Sequence, residues 1–136
     1  MNGAYLLLIH LAKDTTITVG KQGSMSFQHG YYAYVGSALN GLEQRIQRHL
    51  RKQKKIHWHI DYLLNHATIV AILYKQHHRR EECSIAHTLE KHLSGTPRFG
   101  CSDCSCRSHL FHGSLKEITT AALAFHMKPY QVDTNP

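Results

Sequence analysis

The chain has 136 residues, 42% of them hydrophobic, which suits one compact domain able to bury its own core. Lys and Arg number 16 against 9 Asp and Glu, a formal charge of +7, so polyanions are the expected partner class and any such binding should weaken with salt. No run approaches the roughly 20 apolar residues needed to cross a bilayer, and the apolar run from Tyr5 to Ala12 carries His10 with no basic segment ahead of it, so neither a membrane span nor a secretory leader is expected. The expectation is a cytoplasmic protein whose four cysteines are thiols or metal ligands rather than disulfides. The 13 histidines would add positive charge below about pH 6.5 and raise affinity for a polyanion there.

Ala4 to Leu11 is a nearly continuous apolar run, as in a strand buried on both faces. Thr15 to Val19 and Ser24 to Gln28, separated by a turn at Gly20 to Gly23, read as a short excursion of two strands. Tyr31 to Val35 is a third core strand, ended by Gly36, with Tyr32 and Tyr34 on one face and Tyr31, Ala33 and Val35 on the other. A basic helix follows from about Leu42 to Lys52; Leu42, Ile46, His49 and Leu50 form its inner face, and Arg45 and His49 are neighbours on its flank.

This helix and the segment after it leave Arg48, Arg51, Lys52, Lys54 and Lys55 for solvent or phosphate. Trp58 to Asn65 reads as a short helix, and Ala67 to Tyr74 as a second buried strand. A helix from about Glu81 to Leu93 stops at Gly95 and Pro97. His109 to His112 is expected as an edge strand, Ala121 to Met127 as a terminal helix, and Pro129 to Pro136 as disordered. The predicted fold is α/β in the α+β sense, a small antiparallel or mixed central sheet flanked by helices.

Gly3-Ala4-Tyr5 on the first strand is matched by Tyr34-Val35-Gly36 on a later one, with Arg45 on the next helix. YVGSA, RIQRH, HWHIDYLL, the Glu82-Cys83 pair, FGCSDCSC and SHLF then follow in order. On these residues the chain resembles the GIY-YIG nuclease superfamily, and more closely its Uri-type, GIY-YIG-like group, also found fused to archaeal DNA-glycosylases. The resemblance runs from roughly Gly3 to Phe111. It implies a GIY-YIG-like nuclease domain over residues 1–113, with residues 114–136 as a partly disordered C-terminal extension. Ala4 stands where the superfamily usually has a branched residue, and Tyr5 and Tyr34 are farther apart than in compact relatives.

The function implied by the resemblance is that of a metal-dependent endonuclease hydrolysing nucleic-acid phosphodiester bonds, DNA before RNA, with one divalent ion, Mg²⁺ or Mn²⁺. Tyr5 and Tyr34 would face one another and position or deprotonate the attacking water. A free phenol titrates near pH 10, so that task needs a neighbouring cation. Arg45 would stabilise charge on the transition state, as its planar fork suits it to do. His49 would orient a group or relay a proton. The metal would be held by Glu82, which fits the closer group, in preference to Glu90, which fits the spacing of the wider superfamily.

Each of these residues also has a plainer reading. The tyrosines suit sheet packing, and the basic residues suit a solvated helix face. Asp61 is placed either to fix the tautomer of His57, four positions earlier, or to cap a local turn, while His57 and His59 point apart and make poor joint chelators on a helix. Trp58 reads as core rather than as a platform for bases. Cys83, Cys101, Cys104, Cys106 and His109 offer ligand types suited to zinc, although the spacing is not that of a standard ribbon. Two alternatives therefore stand beside the nuclease: a non-catalytic nucleic-acid-binding module and a zinc-stabilised interaction protein.

Overall fold

The computed structural model describes the chain except residues 1, 39–40, 53, 77–81, 97–98, 100–107 and 132–136, and the side chain of Glu82. The strands are β1 (Gly3–Leu11), β2 (Thr15–Thr18), β3 (Ser24–Phe27), β4 (Gly30–Ala38), β5 (Thr68–Gln76), β6 (Ser94–Gly95), β7 (Leu110–Gly113) and β8 (Lys128–Pro129). The helices are α1 (Leu42–Leu50), α2 (His59–Leu64), α3 (Glu82–Glu90) and α4 (Leu115–Ala124). Six strands form one antiparallel sheet in the order β6-β7-β4-β1-β5-β8, and β2 pairs with β3 as a separate hairpin. This is the expected mixed α+β domain.

The apolar run of β1 has its physical reason in this order: β1 is the inner strand between β4 and β5, and the sheet carries a hydrophobic cluster on each face. Tyr5, Leu7, Ile9 and Leu11 join Tyr32, Tyr34, the buried faces of α1 and α2, and Ile17 and Phe27 of the hairpin. Ala4, Leu6 and Leu8 join Ala33, Val35 and the inner residues of α3 and α4 on the other side. The alternation read in Tyr31 to Val35 is therefore the division between two cores.

The structure departs from the sequence expectations in four places. Gly36 does not end β4, which continues to Ala38 because Gly36 has a packing role: a Cβ there would fall within the ring of Tyr5. The run expected as a buried strand at Ala67 to Tyr74 forms β5, but Val70 is 50% exposed: it is the extra residue at a register shift where Leu8 pairs with Ala71 and Ile9 with Ile69. The strand His109 to His112 lies inside the edge, between β4 and β6.

The fourth departure is the C-terminal helix, expected over Ala121 to Met127 and observed as α4, Leu115–Ala124, packed into the fold. α4 starts at Leu115, set by a reciprocal cap in which the Ser114 Oγ accepts from the Glu117 N–H and the Glu117 carboxylate accepts from the Ser114 N–H, both at 3.1 Å. Ile118, Ala122 and Met127 fill the second core. Instead of fraying at Pro129, the chain adds β8, and the Tyr130 N–H donates to the Ile72 carbonyl at 2.8 Å.

Candidate active site

β1 and β4 bring Tyr5 opposite Gly36, two residues from Tyr34, so both tyrosines lie on the face covered by α1. The motif glycines allow this approach. Gly36 admits the Tyr5 ring, and at Gly3 a Cβ would clash with the Lys75 carbonyl and the Leu42 side chain at the start of α1. Leu42 and Ile46 seat α1 on the sheet, and the same helical face carries His49 inward.

His49 links the two phenols. Its Nε2 lies 2.7 Å from the Tyr5 hydroxyl, and its ring centroid is 5.3 Å from that of Tyr5 and 6.2 Å from that of Tyr34, the latter edge-on. Tyr5 and His49 are each 2% exposed, so the hydrogen bond is made in a dry environment, where it is stronger than in water. Burial, followed by the charge of Lys54 and, with Asp61 opposing, those of Arg48 and Arg45, lowers the pKa of His49 to about 3. The imidazole is neutral at physiological pH, and its Nδ1 has no hydrogen-bond partner among the described residues.

Tyr32 differs from the other two phenols of this face. Its hydroxyl donates to the Gln28 carbonyl at 2.6 Å, and burial raises its pKa to about 12. It holds a turn.

Arg45 is fixed in two ways. Its guanidinium donates to the Ser37 carbonyl at 2.7 Å, on β4 beside Gly36, and lies 4.8 Å from the Trp58 ring centroid. Arg48 lies 4.4 Å from the same ring. Trp58 packs against the first core as expected, and it also carries both guanidinium groups.

Arg48 and Lys54, expected to face solvent or phosphate, are engaged within the protein. Arg48 grips the Asp61 carboxylate with two 3.0 Å bonds and donates to the Lys55 carbonyl at 2.7 Å. Asp61 is 0% exposed and also accepts the N–H groups of His57 and Trp58 at 2.9 and 3.0 Å, which decides between its two readings in favour of the cap. Burial pushes the Asp61 carboxyl up, but Arg48 and those two N–H groups outweigh it and hold the group below the usual carboxylate range. The Lys54 ammonium donates to the carbonyls of His49 and Arg48 at 2.7 and 3.3 Å, closing the C-terminus of α1. Arg51, Lys52 and Lys55 remain exposed.

The proposed metal ligand opens α3, and its side chain lies outside the described residues. The chain leaves β5 at Gln76, opposite Gly3, and after α3 reaches Leu93, which packs against Gly113 at the Tyr31 end of the sheet. The apolar residues of α3 fill the core on the face opposite the tyrosines. Among the described residues no group of three His, Cys, Asp or Glu side chains forms a metal-ligand cluster. Cys101, Cys104 and Cys106 of the suggested zinc set lie outside the described residues, while Cys83 is half-buried on α3 and forms no disulfide among the described residues.

The chain matches, over residues 4–130, the family described as domain of unknown function DUF123. It belongs to that family. The match extends past β7 through α4 to Tyr130, in agreement with the packing of the C-terminal segment into the same domain. No curated protein and no solved structure matches the chain. Among the described residues, no helix is long and apolar enough to cross a membrane.

Proposed function

We propose that this DUF123 family member is a GIY-YIG-like, metal-dependent endonuclease acting on nucleic acid, with DNA as the favoured substrate. The observation that carries the reading is the buried 2.7 Å contact between Tyr5 and His49, beside an arginine tethered to the strand that bears Tyr34. Sheet packing alone has no use for an imidazole buried against a phenol with its second nitrogen unpaired among the described residues, since each unsatisfied polar atom costs about 1–3 kcal/mol. The ordered sequence motifs supply the second support.

In this reading Tyr5 and Tyr34 position the attacking water. His49, held neutral, orients the Tyr5 hydroxyl rather than storing a proton. Arg45, pre-set by Ser37 and Trp58, meets the negative charge that grows on the phosphoryl oxygens as the water oxygen bonds to phosphorus and the ester oxygen leaves. Glu82 would hold the cation. A single carboxylate suits Mg²⁺ or Mn²⁺, because such hard ions keep several of their own waters. When bound, the ion supplies Lewis-acid polarisation of the phosphate. Arg51, Lys52 and Lys55 are the exposed cations left for the nucleic-acid backbone.

The test is incubation of the protein and of Arg45→Ala with plasmid, single-stranded DNA, branched DNA and RNA, in Mg²⁺ or Mn²⁺, with and without chelator. Chelator-sensitive cleavage by the wild type and its loss in the variant are expected. Equal cleavage by both proteins would remove the assignment, and salt-sensitive binding without cleavage under any metal would favour a non-catalytic binding module.

A further inference from the structure

A cavity of about 420 Å³ opens where the C-terminal end of α1 faces the turn between α2 and β5. Its two sides differ in chemistry. Arg51, Lys52 and Lys54 bring three cations, and no carboxylate is among the described residues that line it. Arg51 and Lys52 are exposed and make no side-chain hydrogen bond or ion pair among the described residues, whereas Lys54 is fixed against the end of α1. Leu50, Leu64 and Ile69 present a partly exposed apolar wall that packs on the first core from below, with Thr68 at its rim.

A phosphate alone would satisfy the cations and leave the apolar wall wet. A purely apolar ligand would bury cations without partners, which is costly. The volume falls within the range that ordinarily encloses a small ligand. His49 also lines the cavity, so it borders the candidate active site through that side chain.

We propose that this cavity binds one nucleotide unit, its phosphate on Arg51, Lys52 and Lys54 and its base against Leu50, Leu64 and Ile69. The inference rests on the nucleic-acid reading above and deepens it, by giving the protein a place that takes an unpaired base. The same chemistry is carried by a free mononucleotide and by a nucleotide within a single strand.

Calorimetric titrations without divalent metal test it, using a nucleoside monophosphate, a single-stranded hexanucleotide and inorganic pyrophosphate. The proteins are the wild type, Arg51→Ala/Lys52→Ala, Thr68→Trp, which fills the cavity from an exposed position, and Lys116→Ala, which removes an exposed cation on α4. The nucleoside monophosphate is expected to bind at least tenfold more tightly than pyrophosphate. The double variant and Thr68→Trp should each weaken nucleotide binding at least tenfold with unchanged Tm, while Lys116→Ala stays within about twofold of wild type. A hexanucleotide held more than tenfold more tightly than the monophosphate identifies a strand as the ligand; near-equal affinities identify a free nucleotide.

Pyrophosphate binding as tightly as the monophosphate, or unchanged nucleotide affinity in Thr68→Trp, overturns the proposal. The two readings fail separately. Cleavage by a wild type whose binding ignores Thr68→Trp retires the cavity alone, and Thr68-dependent binding by a protein that cleaves nothing retires the nuclease alone.

Discussion

The Tyr5 hydroxyl and the His49 Nε2 lie 2.7 Å apart although 44 positions separate the residues in sequence. The contact joins the innermost strand to the inner face of α1, so any change at either residue is felt by both packing and the candidate site.

Tyr5→Phe keeps the ring that fills the space over Gly36 and removes only the hydroxyl. Leaving the buried His49 Nε2 without its partner should cost about 1–3 kcal/mol of stability, readable as a lower urea midpoint. Nuclease turnover should fall by roughly 100-fold or more, since an oriented polar group at the reacting centre is lost. A variant with wild-type turnover would remove Tyr5 from the chemistry.

His49 makes the stability of the protein sensitive to acid. Its native pKa is lowered from 6.5 to about 3, so below pH 6.5 the unfolded chain takes up a proton that the folded chain refuses. Above pH 6.5 there is no effect. As pH falls from there towards 3, the fold loses up to about 1.4 kcal/mol per pH unit through this group. His49→Gln, which can still bond Tyr5, should show a shallower decline of Tm between pH 6.5 and 4.5 than the wild type. Parallel curves would mean that His49 ionises normally.

Arg48→Ala strips the counter-ion from a fully buried carboxylate and should cost about 3 kcal/mol. Asp61→Asn keeps a group able to accept the backbone N–H bonds and should cost less, because Arg48 is 21% exposed and can turn to water. The Asp61 carboxyl is held below its ordinary range in the fold, so its contribution is present above that range and is lost as pH falls through the depressed native value. The stability gap between wild type and Arg48→Ala, from denaturant melts at pH 7 and at pH 3, should narrow in acid. An unchanged gap would show that the pair is not coupled to folding.

Trp58 is the single tryptophan of the chain, so its fluorescence reports on the two stacked guanidinium groups. Trp58→Ala should release Arg45 from one of its two anchors and lower kcat by about tenfold with little change in KM, while Trp58→Phe, which restores an aromatic face, recovers most of it. In the wild type, oligonucleotide binding should shift the Trp58 emission, and Arg45→Ala should reduce the shift. A KM effect without a kcat effect would make Trp58 a binding surface instead of a positioning residue.

The elements of the fold were legible because local pattern and tertiary demand agree in them: continuous apolarity in β1, period two across Tyr31 to Val35, and helical spacing in Leu42 and Ile46. Where the reading slipped, a contact distant in sequence decided the outcome. Gly36 has the local signature of a strand stop, but the Tyr5 ring above it requires a residue without a side chain; the start of α4 is marked by Ser-x-x-Glu at Ser114 and Glu117, outside the stretch with the strongest apolar signal. Lys128 and Pro129 have little local propensity for a strand, yet an open edge on β5 receives them.

The sequence by itself determined the α+β domain and its basic character and singled out Tyr5, Tyr34, Arg45 and His49 as candidates for one site, because period, charge and motif order are properties of the chain alone. Only the tertiary structure decided how the charges are used. It turned Arg48 inward onto Asp61 and Lys54 onto the end of α1, because a buried carboxylate and a row of open carbonyls must be satisfied by whichever cations folding brings near. It also made His49 neutral, since burial is set by the packing of α1 on the sheet and is invisible in a list of residues.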